Sequence, residues 1–296
     1  METRVLVMLV SQGTFRPADF SRTECALDNR VAYVDRAGYD TVTASMFHRP
    51  TNPVSHRLAR LAFYLACLAG LTVAACGPAH RYLGLDLDWA LIVFRFGFYA
   101  AAAAVALALG TIVPTRPGER RRGFVAALMA FAVGVAAAWA PAQWLLQTRA
   151  APRINDVTTD TANVPAMVVT QQMRHGSPNP PAYPGDGVAA QQRAAYPDIV
   201  PVVINASPAE AFRKVDQAAM AMGWDVVARA PADGRLEAVD TSDWFGLQDD
   251  IVVRIRAEGA SGSRIDIRSK SRVGQSDFGA NARRIRAFIE RLRREQ

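Results

Sequence analysis

The chain has 296 residues, half of them hydrophobic, and a formal net charge of +7. Residues 1–151 carry 15 basic and 9 acidic groups, residues 152–296 carry 19 and 18, and three long apolar stretches fall within residues 58–146. A wholly soluble enzyme does not fit that division, and a basic excess gathered around apolar stretches speaks for membrane orientation rather than a nucleic-acid groove.

Residues 1–57 read as a cytoplasmic tail without sustained periodicity. Met46 to Arg60 has the short basic character that precedes a first span, so Met46 is a candidate true start. Three spans follow, at 58–80, 89–113 and 123–146. Each is near or above the roughly 20 residues that cross a hydrocarbon layer, and helix is the state that satisfies its own backbone there. Small residues recur every fourth position at Gly97 and Ala101 and at Ala130, Gly134 and Ala138. That spacing permits close helix approach, and general alanine richness accounts for it equally well. Arg49, Arg57 and Arg60 precede the first span, and Arg116, Arg120, Arg121 and Arg122 fill the second loop. The positive-inside rule then places the N-terminus in the cytoplasm and residues 147–296 outside, in the periplasm of a bacterial inner membrane. Arg95 lies inside the second span. It reads either as a functional intramembrane charge or as a side chain snorkelling outward to meet Asp88. Val73-Ala74-Ala75-Cys76 has the shape of a lipoprotein signal ending, and ordinary helix composition explains it too.

Residues 147–200 are expected to form an extended linker and wrapping segment, because eight of the 17 prolines lie between Pro152 and Pro201. Residues 201–296 then read β-α-β-β-β-β-α. A strand at Ile199–Ile204 precedes a helix opened by the capping box Ser207-Pro208-Ala209-Glu210. Strands are expected at Asp225–Arg229, Arg235–Asp240, Asp250–Arg256 and Arg264–Ser271, and a last helix runs from about Phe278 to Arg294 with its arginines mainly outward. The fold class is therefore a three-helix transmembrane anchor followed by an α+β domain. That domain is an antiparallel sheet with two helices on one face, similar to a helix-grip arrangement.

Period-two alternation divides the sheet residues. Ile251, Val253, Ile255, Ile265 and Ile267 share the core face; Glu237, Asp250, Arg254, Asp266, Arg268, Lys270 and Arg272 point the other way. That charged face is either solvated and laced with cross-strand pairs or a platform for an anion or partner. The turn Arg272 to Asp277, with Ser276 or Asp277 capping the last helix, sharpens the second reading. Candidate ligand or partner contacts are Arg254, Arg268, Arg272, Asp266, Ser276 and Asn281. Glu237, Asp250, Asp277 and Asp156 are assigned to a structural polar lattice.

NDVTTD at 155–160, YPDI at 196–199, DWFGLQDDIVVRIR at 243–256 and DIRSKSRVGQSDFGANARRIRAF at 266–288 resemble the domain of unknown function 1499 family over residues 150–296. The resemblance implies a bacterial or plastid-derived envelope domain, often behind membrane spans, and carries no established activity.

No catalytic residue, cofactor or metal is assigned. His175 is the sole histidine after the spans, all three cysteines precede residue 77, and no phosphate loop or nucleophile elbow occurs. Asp266 or Glu237 paired with Asp250 across strands would suit acid–base work or calcium, but the surrounding arginines favour ion pairs. Three functional classes follow. The first is a non-catalytic envelope module binding a lipid headgroup, a cell-wall component or a protein. The second is a subunit of a membrane complex. The third is a carboxylate-dependent hydrolase or transferase. Membrane lipids and an envelope protein are the expected partners, and nucleic acid is not.

Overall fold

The computed structural model describes residues 24–27, 30–33, 53–115 and 122–294. The chain divides into residues 1–51 and residues 52–296. In the first unit, β1 (Glu24–Leu27) and β2 (Arg30–Tyr33) pair antiparallel, with Glu24 opposite Tyr33. The absence of sustained periodicity did not forecast this hairpin. The proposed start at Met46 and the second-loop arginines Arg116, Arg120 and Arg121 lie outside the described residues.

The second unit opens with three helices, α1 (Pro53–Leu83), α2 (Leu87–Ile112) and α3 (Arg122–Ala150). All three are long and apolar enough to cross a membrane. Proline at the first position of α1 fits its fixed φ and missing N–H, and Asp86 caps α2 by accepting from the Asp88 and Trp89 amides at 2.9 and 3.3 Å. Alanines form the seams: Ala62 and Ala66 of α1, Ala101 and Ala108 of α2 and Ala130 of α3 are buried. Such small side chains let helix backbones approach closely where lipid supplies no hydrophobic drive. Arg95 is exposed on α2 and meets no carboxylate among the described residues, so the expected contact with Asp88 does not form. Cys76 stays inside the continuous helix α1, its thiol donating to the Val73 carbonyl.

The rest of the chain builds a six-stranded antiparallel sheet. Its strands are β3 (Asp156–Thr158), β4 (Val202–Ile204), β5 (Asp225–Ala230), β6 (Arg235–Thr241), β7 (Gln248–Glu258) and β8 (Gly262–Ser271). The order is β3-β8-β7-β6-β5, and β4 shares the outer edge of β8 end to end with β3. Four further helices are α4 (Val169–Met173), α5 (Asp186–Ala195), α6 (Pro208–Ala221) and α7 (Ala280–Arg294). The capping box of α6 forms as its sequence dictates, with Ser207 and Glu210 satisfying each other's backbone amides.

One sheet face carries the apolar core. Leu236, Ala238, Ile251, Val253, Ile265 and Ile267 pack there against Phe212, Val215, Ile285, Phe288 and Leu292 of α6 and α7, and the Trp224 and Phe288 rings stack at 5.0 Å. The opposite face is roofed by the proline-rich segment. Residues 160–183, α4 among them, run across it, so its carboxylates are buried and it is no open platform, with Arg254, Arg256 and Arg264 half-buried at its margin. Proline runs lack donors and cannot form a strand interior, but their carbonyls remain strong acceptors. The buried cations beneath use that property.

Candidate functional site

Alternation puts charges of both signs on adjacent strands, and the antiparallel register arranges them in rows. Val239, Asp250, Lys270 and Asp156 lie side by side across β6, β7, β8 and β3, and Glu237, Val252, Arg268 and Thr158 form the next row. On this face no two carboxylates stand opposite each other; Asp240 and Asp249 do so on the other face. The pairing of Asp266 or Glu237 with Asp250 that acid–base chemistry would need is therefore not formed.

Each carboxylate is instead saturated by protein donors. Asp156 accepts from Arg268 at 3.0 and 2.8 Å and from Lys270 Nζ at 2.8 Å. Asp250 accepts from Arg272 Nε at 3.1 Å and Nη2 at 2.7 Å and from Arg174 of the roof. Asp266 is held by Arg254 at 2.8 Å, Arg256 at 2.8 Å and Arg264 at 3.1 Å. Glu237 turns upward to the start of α4, accepting from the Thr170 amide at 2.8 Å and hydroxyl at 2.7 Å and from the Val168 and Val169 amides. All four side chains are fully buried. Stripped of these donors they would be costly to keep charged in the interior.

The first two carboxylates face four cations: Arg174, Arg268, Lys270 and Arg272. Backbone carbonyls of the roof and of β8 absorb the surplus donors. Arg268 donates to Pro165 and Pro181, Lys270 to Ala182, and Arg174 to Asn179 and Ser271. Burial still tells on the cations: desolvation pulls Lys270 below the usual lysine range despite Asp156, and does the same to Arg174 despite Asp250. Tyr183 lies over Arg268 with ring centre and guanidinium carbon 5.7 Å apart. Burial and the nearby Asp156 push its hydroxyl up to about 12. With their oxygens engaged by arginine, lysine and amides, these carboxylates offer no vacant set for a metal, and among the described residues no cluster of three metal-ligating side chains assembles.

The predicted residues therefore separate into two places. Arg254, Arg268, Arg272 and Asp266 join Glu237, Asp250 and Asp156 in the roofed lattice, so the arginines and the carboxylates are one network rather than a binding set beside a structural one. Ser276, Asp277 and Asn281 lie at the other side, where α7 begins. Asp277 accepts from the Gly279 and Asn281 amides at 2.8 and 2.9 Å, and burial raises its carboxyl above the usual range. Ser276 donates to the Pro152 carbonyl at 3.3 Å, and Asn281 bonds to Ser269, Ser271, Arg284 and the Asn155 carbonyl.

Sequence reasoning missed Arg174, which sits among loop-forming residues with no periodicity to mark it. It also set Arg284 outward with the other arginines of α7. The side chain turns in and bridges Asp240 and Asp249 at 2.6 Å each. Asp249, one residue from Asp250 and so on the opposite sheet face, was the available signal.

A second polar and aromatic junction ties the sheet to the helices. Pro78 has no N–H, so the Ala74 carbonyl one turn earlier in α1 lacks its helical donor. The indole N–H of Trp244, in the loop between β6 and β7, donates to it at 3.3 Å. A Cβ on Gly77 would come within 2.1 Å of that indole, so only glycine admits the ring. Phe245 packs beside Trp244 against Phe94 and Trp144 of α2 and α3 with ring centres 5.7–5.9 Å apart. Arg81 of α1 donates to the Asp243 carbonyl. The sheet domain is thus seated on one end of the helix bundle through its DWFGL loop.

Residues 156–292 match the family model described as Protein of unknown function (DUF1499). The match begins at β3 and ends in α7, and it includes the roof, the charged lattice and the DWFGL loop. No curated protein matches the chain.

Proposed function

We propose that this DUF1499-matching chain is a non-catalytic protein of the bacterial inner membrane, whose C-terminal domain sits on the periplasmic end of its spans and binds a group presented at that surface. The observation that carries this reading is the saturation of Asp156, Glu237, Asp250 and Asp266 under a closed roof. A general base or a nucleophile needs an accessible oxygen with a tuned proton affinity, and these carboxylates are committed to cations and amides.

The seat of the domain supports the membrane placement. Three of the five tryptophans, Trp89, Trp144 and Trp244, lie at the end of the bundle that receives the domain, whereas Arg57 and Arg60 mark the other end. Aromatic rings favour the bilayer interface and basic residues the cytoplasmic side. A single cysteine placed at Ser261, in the exposed turn between β7 and β8, tests the reading in a chain whose own cysteines are replaced. A membrane-impermeant maleimide added to intact cells with a permeabilised outer membrane should label it. Labelling only after the inner membrane is breached would refute the placement.

A further inference from the structure

A cleft of about 170 Å³ opens where α3 leaves its apolar stretch, lined by Gln147, Tyr196, Phe278, Gly279, Arg283 and Arg286. The membrane-crossing part of α3 ends at Gln147, so on the placement proposed above the cleft lies at the depth of lipid headgroups. Beyond Gln147 of α3, its walls belong to the domain: Tyr196 follows α5, and Phe278 and Gly279 lead into α7.

Two features, a free arginine and an unpartnered hydroxyl, make the cleft receptive to an anion. Arg283 is exposed, donates to the Phe278 carbonyl at 2.9 Å and meets no carboxylate among the described residues. Arg286 stands beside it, neutralised by Asp198 at 2.6 Å and lying over the Tyr196 ring with its guanidinium carbon 5.2 Å from the centre. Tyr196 itself is 9 % exposed, and its hydroxyl is buried with no hydrogen-bond partner. A buried hydroxyl without a partner is rare in native interiors and calls for an acceptor. Gly279, with φ 78°, keeps that space open, because a Cβ there would stand 3.3 Å from the tyrosine oxygen and 3.1 Å from an Arg283 nitrogen.

We infer that this cleft binds the phosphate of an anionic group, with Arg283 supplying the charge and Tyr196 donating a hydrogen bond. At headgroup depth the source is an anionic phospholipid, and a free phosphate is the alternative source of the same chemistry. The inference rests on the proposed seating of the domain at the membrane surface.

The test uses the full chain in nanodiscs of phosphatidylcholine, with and without phosphatidylglycerol, and native mass spectrometry to count retained lipids. The wild type should retain one phosphatidylglycerol after surrounding lipid is stripped, and Arg283→Glu should lower that retention about tenfold. Tyr196→Phe should weaken retention while leaving the lipid-free protein at least as heat-stable, since it removes a hydroxyl that has no partner there. A purely structural tyrosine would not separate those two readouts. Phosphate retained from buffer in phosphatidylcholine discs, and lost in Arg283→Glu, would assign the site to free phosphate. Equal lipid retention in wild type, Arg283→Glu and Tyr196→Phe would overturn the inference, as would an equal loss in the remote control Arg213→Glu. These outcomes do not depend on the Ser261 labelling, which alone decides the placement of the domain.

Discussion

The centres of one sheet's two faces are equally buried, by opposite means. On one side Leu236, Ile251 and Ile267 meet α6 and α7 in an apolar core; on the other Asp156, Glu237, Asp250 and Asp266 are equally inaccessible. Burial of the first face is favourable in itself, at about 25 cal/mol per Å² of apolar surface. Burial of the second is tolerated only because each charge finds geometry good enough to offset its desolvation. The apolar face therefore stabilises the fold, and the ionic face constrains which segment can cover it. A roof with four suitably placed carbonyls and an arginine at 174 fits, and an ordinary loop does not.

The difference predicts a graded response to substitution. Asp156→Ala leaves Arg268 and Lys270 buried without their carboxylate and should cost about 3–5 kcal/mol, read as a loss of denaturation midpoint for the solubilised protein. Ile251→Ala, in the facing core, should cost about 2–4 kcal/mol through lost transfer energy and a cavity. If the apolar truncation proved far costlier than the ionic one, the two faces would not be equally closed. Glu237→Gln keeps shape but loses the charge that gathers the α4 amides, and about 1–3 kcal/mol is expected. Faster amide exchange confined to residues 168–173 would accompany it.

The smallest effect belongs to an exposed pair. Asp198 is held below the usual carboxylate range by its hydrogen bonds from Arg286. Its folded value is depressed, so its contribution to stability is present above the unfolded value near 3.8 and is lost as pH falls through the folded one. Asp198→Asn should flatten that part of the acid profile while changing neutral-pH stability by less than about 1 kcal/mol.

Much of this architecture was legible in the sequence. The spans announce themselves by length, α6 by its capping box, and β6 to β8 by strict alternation. Alternation states which side chains share a face and is silent on whether anything covers that face. Charged alternation normally means solvent, so a wrapping segment was expected from the prolines but not that it would cover this face. β3 was missed because three residues, Asp-Val-Thr, are too short to show a period. The seat of Trp244 in α1 was missed for another reason. Ala74, Gly77 and Pro78 lie 166 or more residues before it, and local pattern does not report long-range fit. The strings that carry the family resemblance hold Asp156, Asp250, Asp266, Arg268 and Arg272 but do not say that these bond to one another.

The chain's two lysines give the most direct test of the closed ionic face. Lys214 lies partly exposed on α6, and Lys270 is buried between Asp156 and the Ala182 carbonyl. Acylation of the native full-length protein by an amine-reactive ester, followed by peptide mass spectrometry, should modify Lys214 and spare Lys270 until the domain unfolds. Native labelling of Lys270 at a rate comparable to Lys214 would contradict the closed face.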